Sequence, residues 1–261
     1  MNPVNITPTN ISDGAEFGKA ISVDKVSMAV SAPADNSGSV FVYRRVKDGE
    51  WMQESKVKGA NSVEFGTDVV IKDESTLIVS DKWANNTGVV LIYHFNSTSS
   101  QWEHAQTLTE DSCADRFGYS IALTNEGLVV GCVFTRNDTG AVYYYTATTD
   151  GNQDFALRQV ITKFNADTLP ELGGKVFVND NFLAIGSEVA GLAFILTNVD
   201  NKWREVAAID APLSSDAPKF GRDMGLSGNN IFISSWHNVH LFELQTSCLA
   251  KKKDKQASWQ R

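Results

Sequence analysis

Three large aromatic residues stand in polar loops: Trp83 in DKWANNTG, Phe134 in CVFTRNDTG and Trp236 in SSWHN. Asn85, Asn86, Asn137 and Asp138 lie beside them, and the related loop APADNSG carries Asp35 and Asn36. An aromatic face covers the C–H side of a sugar ring, while amide and carboxylate side chains exchange hydrogen bonds with its hydroxyls. The same mixture makes a hot spot for a protein partner. It also has a structural reading, in which the aromatics cap buried interfaces and Asn and Asp form turns. The candidate ligand-binding residues are therefore Trp83, Phe134, Trp236, Asn85, Asn137 and Asp138, facing a protein or a glycan.

Other chemistry finds less support. His94, His104, His237 and His240 are scattered, and no three converge in sequence as zinc ligands would. Cys113, Cys132 and Cys248 form no CxxC pair and are too few for a disulfide scaffold. Their odd number leaves at least one thiol free or paired with another chain. Asp68, Asp223 and Glu188 are available as paired carboxylates for glycoside hydrolysis, but no spacing singles them out. GxSxG, HExxH, the P-loop and the dinucleotide fingerprint are all missing. The expectation is a non-catalytic module without a cofactor. It serves protein–protein or surface recognition, with a glycan-binding lectin as the alternative and a glycosidase as the third reading.

Charge narrows the partners. The net charge is −8, and the final KKKDKQASWQR carries +4 of positive charge against a more acidic body. A nucleic-acid binder needs a basic stripe that this body lacks. No apolar run approaches the roughly 18 residues of a membrane span. Sequons at Asn5, Asn10, Asn85, Asn96 and Asn137 favour an extracellular or cell- or virion-surface protein, although MNPVNITPTN does not read as a signal peptide.

The loops are positioned by a repeat. Phe-Gly recurs at Phe17-Gly18, Phe65-Gly66, Phe117-Gly118 and Phe220-Gly221, with Gly173-Gly174 as a degenerate copy; successive second glycines are 48, 52, 56 and 47 residues apart. Each copy continues with short Val/Ile/Phe/Tyr-rich runs separated by Gly, Asn and Asp, as in YSIAL, LVVGC, GAVYYY and FALRQVI. Four such runs per repeat are four antiparallel strands, and radial repetition of such sheets is a β-propeller. Trp51, Trp102, Phe155 and Trp203 recur at the start of the fourth run, and Tyr43, Tyr93 and Tyr145 in the third, so all read as packing residues. The second-to-third loops, which hold the aromatic candidates, share a face with the Phe-Gly turns.

The last repeat has three runs and no good fourth. Residues 6–18 (ITPTNISDGAEFG) parallel residues 209–221 (IDAPLSSDAPKFG). The expected architecture is all-β: five four-stranded blades spanning residues 1–247, closed by an N-terminal strand at 4–11 completing the last blade. A basic tail follows at 248–261.

The pattern FG, SIAL, LVVG, GAVYYY, together with SAP at Ser31-Ala32-Pro33, resembles the FG-GAP repeats of integrin-α-like propellers. That resemblance implies a scaffold fold with its binding face at the second-to-third loops. Many such repeats hold calcium in a DxDxDG hairpin loop; here the equivalent turns, such as DEST and TNEG, lack the oxygen ligands, so no calcium is expected there.

Overall fold

The computed structural model describes residues 5–60, 64–72, 74–124, 126–135, 139–148, 154–162, 170–179, 181–212 and 219–244. Apart from two three-residue 3-10 turns, every regular element among them is a β-strand. The chain forms two compact units, Met1–Asp111 with Asp115–Gly118, and Ser112–Ala114 with Tyr119–Arg261.

The first unit holds two sheets. Strands β1 (Ile21–Val23), β2 (Ser27–Ala32), β3 (Ser39–Arg45) and β4 (Trp51–Lys58) pair antiparallel in that order, as do β5 (Val69–Lys72), β6 (Thr76–Asp81), β7 (Val89–Asn96) and β8 (Gln101–Leu108). Strands β9 (Cys113–Leu123), β10 (Gly127–Thr135), β11 (Ala141–Ala147) and β12 (Phe155–Ile161) make the third sheet, which belongs to the second unit except for Asp115–Gly118. Strands β13 (Lys175–Val178), β14 (Phe182–Ser187), β15 (Leu192–Val199) and β16 (Lys202–Asp210) make the fourth. The fifth has three strands, β17 (Met224–Ser227), β18 (Asn230–Ser234) and β19 (Val239–Glu243).

The burial of each strand explains its sequence. β2 and β14 are buried at every position, hence their unbroken runs SMAVSA and FLAIGS. The fourth strands alternate instead, as in WMQESKVK, because one face meets water. The third-to-fourth pairing slips by one residue at the same place in four sheets, at Val42/Tyr43, Ile92/Tyr93, Tyr144/Tyr145 and Ile195/Leu196. A recurrent bulge of this kind turns the strand and re-aims its side chains.

The Phe-Gly glycines do one job in every copy. Gly18, Gly66, Gly118, Gly173 and Gly221 all have φ between +82° and +93°, a region L side chains rarely enter. The amides of Gly18, Gly66, Gly173 and Gly221 donate to the carbonyls of Ser31, Ser80, Gly186 and Ser234, at 2.9 to 3.2 Å. In the fourth copy the glycine in this role is Gly173, not Gly174, and Leu172 replaces the phenylalanine. Phe65, Phe117, Leu172 and Phe220 are fully buried. Phe65 packs in the cluster shared by the first two sheets, Leu172 in that of the third and fourth, and Phe220 in that of the fourth and fifth. Each of these buried side chains contributes on the order of 2 kcal/mol.

The N-terminal segment departs from expectation. Residues 5–11 form no strand, and no fourth strand is present in the fifth sheet among the described residues. Asn10 has φ +58°, which interrupts an extended run. Ile6 and Ile11 instead pack on the first sheet's cluster of Ala15, Met28, Val30, Ala32, Phe41 and Tyr43. The backbone amide of Thr9 donates to Gln53 Oε1 at 2.8 Å, and Lys56 Nζ donates to the Asn10 carbonyl.

Cys113 and Cys132, both buried, are joined in a disulfide between β9 and β10. The third cysteine, Cys248, and the basic tail lie outside the described residues. No helix among the described residues is long and apolar enough to cross a membrane.

Candidate functional site

The loop residues singled out in the sequence are distributed over both units. In the first unit Trp83 opens the short turn Ala84–Asn86, and the amides of Trp83 and Ala84 both donate to Asp81 Oδ1, at 3.3 and 3.1 Å. The Arg116 guanidinium lies 4.7 Å from the centre of the Trp83 ring, and Lys82 Nζ 5.9 Å from it. The indole therefore meets cations of its own unit. Asn85 and Asn86 have φ of +53° and +63°, the left-handed conformation of turn residues. Asp35, in the equivalent loop of the first sheet, has a fully buried side chain 2.6 Å from Lys56 Nζ. Burial would raise its pKa, but Lys56, the Ser39 hydroxyl and the amide and hydroxyl of Ser12 together hold it well below the carboxylate range.

In the second unit Phe134 belongs to strand β10 rather than a loop, and is half-buried. Trp236 is 59% exposed, with the His237 ring edge-on at 6.2 Å. Asn137 and Asp138 lie outside the described residues. The candidate acids of glycoside hydrolysis all have local tasks. Asp68 Oδ1 accepts from the Val69 amide, Asp223 pairs with Lys175 at 3.2 Å, and Glu188 pairs with Lys219 at 3.1 Å.

A cavity of about 400 Å³ lies elsewhere in the second unit, at the hairpin ends of the third and fourth sheets. Its lining is Thr124, Glu126, Asn179, Asn198, Asp200, Asn201 and Trp203. Each is set by a local rule of chain geometry. Thr124 Oγ1 accepts from the amides of Glu126 and Gly127, at 3.0 and 2.8 Å, fixing the β9–β10 turn and the base of Glu126. Asn179 Oδ1 does the same for the amides of Asn181 and Phe182 at the β13–β14 turn. Asp200 and Asn201, with φ of +54° and +58°, are the two central residues of the β15–β16 hairpin, whose flanking pair is Val199 and Lys202. Positive φ at both is the primed turn that matches strand twist.

Trp203 follows that hairpin and is 4% exposed. Its backbone is clasped by the Gln159 amide from β12: Trp203 N donates to Gln159 Oε1 at 2.8 Å, and Gln159 Nε2 donates to the Trp203 carbonyl at 2.9 Å. Its indole Nε1 is buried without a hydrogen-bond partner. Tyr144 packs edge-on against it, with ring centres 5.9 Å apart. Burial, and after it the charge of Glu126, raises the Tyr144 phenol pKa; Asn198, Thr124 and Arg158 lie near enough to oppose that rise. The Tyr144 hydroxyl nevertheless makes no hydrogen bond of good geometry. Asn198 Nδ2 donates to Glu126 Oε2 at 3.2 Å, orienting the carboxylate.

This arrangement puts two carboxylates, three amides and an indole around one small volume. Carboxylates can take protons from water or accept from hydroxyls, amides can do either, and the indole N–H can only donate. Among the described residues no group of three or more His, Cys, Asp or Glu converges as a metal ligand set. Sequence reasoning assigned Trp203 to packing alone and passed over the other six, because each is an ordinary turn former within its own hairpin.

No protein family matches the chain, and no curated protein is similar to it. Its structure is similar to β-propeller proteins. A protein of Bacteroides fragilis provisionally named a 6-phosphogluconolactonase matches with a TM-score of 0.64 at 12% identity, over 88% of this chain and 68% of that one. A periplasmic gluconolactonase of Pseudomonas aeruginosa matches with a TM-score of 0.54 at 12% identity, over 88% and 82%. The WD40 domain of Toxoplasma gondii coronin matches with a TM-score of 0.56 at 13% identity, over 87% and 55%. The chain thus has a β-propeller fold. These likenesses do not reach as far as the FG-GAP repeat, integrin-like or lectin-like character that the motifs suggested. The expectation of a non-catalytic recognition module, with its lectin alternative, is corrected by the lactonases among these structures. Missing active-site motifs do not imply missing activity in a fold that lactonases also adopt.

Proposed function

We propose that the protein is a hydrolase of sugar-lactone-type cyclic esters, acting in the cavity of the second unit. The observation that carries this reading is the Glu126 carboxylate, held by Asn198 at 3.2 Å on a cavity otherwise lined by amides, a second carboxylate and an indole. In this reading Glu126 takes a proton from water as its oxygen attacks the lactone carbonyl. Asn201 Nδ2 is the donor this reading assigns to the oxyanion. Collapse of the tetrahedral intermediate breaks the ring C–O bond, and the proton held by Glu126 passes to the leaving alkoxide. The product is the open hydroxy acid, with no other reactant than water.

Hydrolysis of glucono-1,5-lactone by the purified protein, followed with a pH indicator against the spontaneous rate, tests this. The Glu126→Gln substitution should lower kcat at least about 100-fold, the usual share of a general base, with an unchanged unfolding midpoint. A rate no higher than the spontaneous one, or full activity in E126Q, overturns it. The same reading takes the five sheets as the blades of one FG-GAP-like propeller domain. It also takes the protein as exported, since disulfides persist in oxidising compartments.

A further inference from the structure

Granting that the cavity is the reaction site, we infer that it selects an uncharged polyhydroxy ligand and rejects the phosphorylated form of the same sugar. The charges of the lining are the first ground. Glu126 and Asp200 are both acidic, the amides and Thr124 are neutral, and no Lys, Arg or His lines the cavity among the described residues. A phosphate monoester carries −1.5 to −2 charges near neutral pH and is held by Arg or Lys forks or by clustered backbone amides. Arg158 is the cation whose charge is felt at Tyr144, yet it stands on exposed β12 and does not line the cavity. A phosphate entering here would meet two carboxylates and no counter-charge among the described lining residues.

The second ground is the set of unspent hydrogen-bonding groups. Trp203 is nine-tenths buried and its Nε1 has no partner. A buried donor left unpaired costs on the order of 1–3 kcal/mol, so a ligand acceptor that reached Nε1 would be favoured. Asn179 has its oxygen committed to two backbone amides and one Nδ2 proton given to the Gly228 carbonyl at 3.4 Å, so it presents a single N–H. Glu126 has one oxygen occupied by Asn198 and one left to accept a hydroxyl. Donors and acceptors are thus interleaved, as a ring of hydroxyls requires and a phosphate does not.

Two measurements test the inference. Hydrolysis rates of glucono-1,5-lactone and its 6-phosphate should differ at least about 30-fold in kcat/KM, in favour of the neutral lactone. The difference should shrink as salt screens the carboxylates. Equal or faster turnover of the phosphate overturns the inference. Independently, calorimetry with the unreactive pair 1,5-anhydroglucitol and its 6-phosphate should show the neutral compound binding at least tenfold tighter. Asp200→Asn should narrow that ratio about threefold. If neither lactone is hydrolysed but the neutral analogue still binds more tightly, the hydrolase reading fails and the selectivity stands. If the analogues bind equally, or neither binds, the selectivity falls too.

Discussion

Asp35 offers a quantitative test of how the N-terminal segment is held. Its carboxylate accepts from the Ser12 amide at 2.9 Å and the Ser12 hydroxyl at 2.8 Å, and sits 2.6 Å from Lys56 Nζ. Lys56, itself mostly buried, lies 4.9 Å from the Phe41 ring centre and donates to the Asn10 carbonyl. Asp35→Asn keeps the shape but leaves the Lys56 charge without its counter-ion. Breaking a buried pair in this way costs about 3 kcal/mol, and urea unfolding at pH 7 should register it. The pH dependence follows from the sign of the shift. The folded-state pKa lies below the ordinary value near 3.9, so the carboxylate stabilises the fold above pH 4, and that contribution fades as pH falls toward the folded pKa. The gap between wild type and D35N should stay constant from pH 7 to about pH 5 and narrow below pH 4. A gap under 0.5 kcal/mol at pH 7, judged against the roughly 1 kcal/mol typical of a point mutant, refutes the reasoning, as does a gap that widens in acid.

Gly186→Ala would place its Cβ 2.1 Å from the Gly221 carbonyl oxygen, a backbone atom that cannot step aside; a loss of about 3 kcal/mol or failure to fold is expected, whereas Gly14→Ala, with nothing within 4 Å, should lose only the cost of its φ of +72°, about 1 kcal/mol. Urea midpoints of the two variants compare them directly. Reduction of Cys113–Cys132, which spans 19 residues, should cost about 3 kcal/mol, seen as a lower midpoint with dithiothreitol that is absent in a Cys132→Ser background. Burial, and secondarily the charge of Asp81, pushes the Tyr93 phenol up to about 12. The unfolded phenol ionises near 10, so stability should fall as pH rises from 10 toward 12, by roughly 2 kcal/mol at 1.36 kcal/mol per unit; Tyr93→Phe should remove that part of the alkaline fall.

The parts of the fold that repeat were the parts legible in the residues. Phe-Gly was readable because a positive φ tolerates little except glycine, and the next blade's packing tolerates little except a large apolar side chain. Even the degenerate copy was found, though one residue out of register, since two adjacent glycines cannot reveal which of them turns. The N-terminal segment was misjudged because ITPTNISDGAEFG matches its counterpart in pattern, while the left-handed Asn10 and the Asp35–Lys56 pair that bind it to the first sheet are contacts between distant residues. The disulfide was invisible for a similar reason. Cys113 falls in a polar approach to Phe117-Gly118, and only the unusual length of β9, which begins at Cys113, brings it opposite Cys132. The cavity draws on three hairpins, and no single hairpin carries a motif.

The hairpin ends leave more polar side chains uncommitted than the aromatic loops do, because of what each set of polar groups is already doing. In the loops of the first unit the carboxylates are consumed by the chain itself: Asp35 by Lys56 and Ser12, and Asp81 by the amides of Trp83 and Ala84. Trp83 has Arg116 across its ring. Such groups hold loops in place and have little capacity left for a ligand. At the hairpin ends the turn is fixed by backbone conformation, because Asp200 and Asn201 take left-handed φ values and the strand pairing of Val199 with Lys202 closes the loop. Their side chains are therefore not needed to make the turn. The indole of Trp203 shows the same economy from the other side: its backbone is satisfied by Gln159, and its N–H remains without a partner. A site forms where the backbone has already met its own hydrogen-bonding demands and leaves polar side chains over.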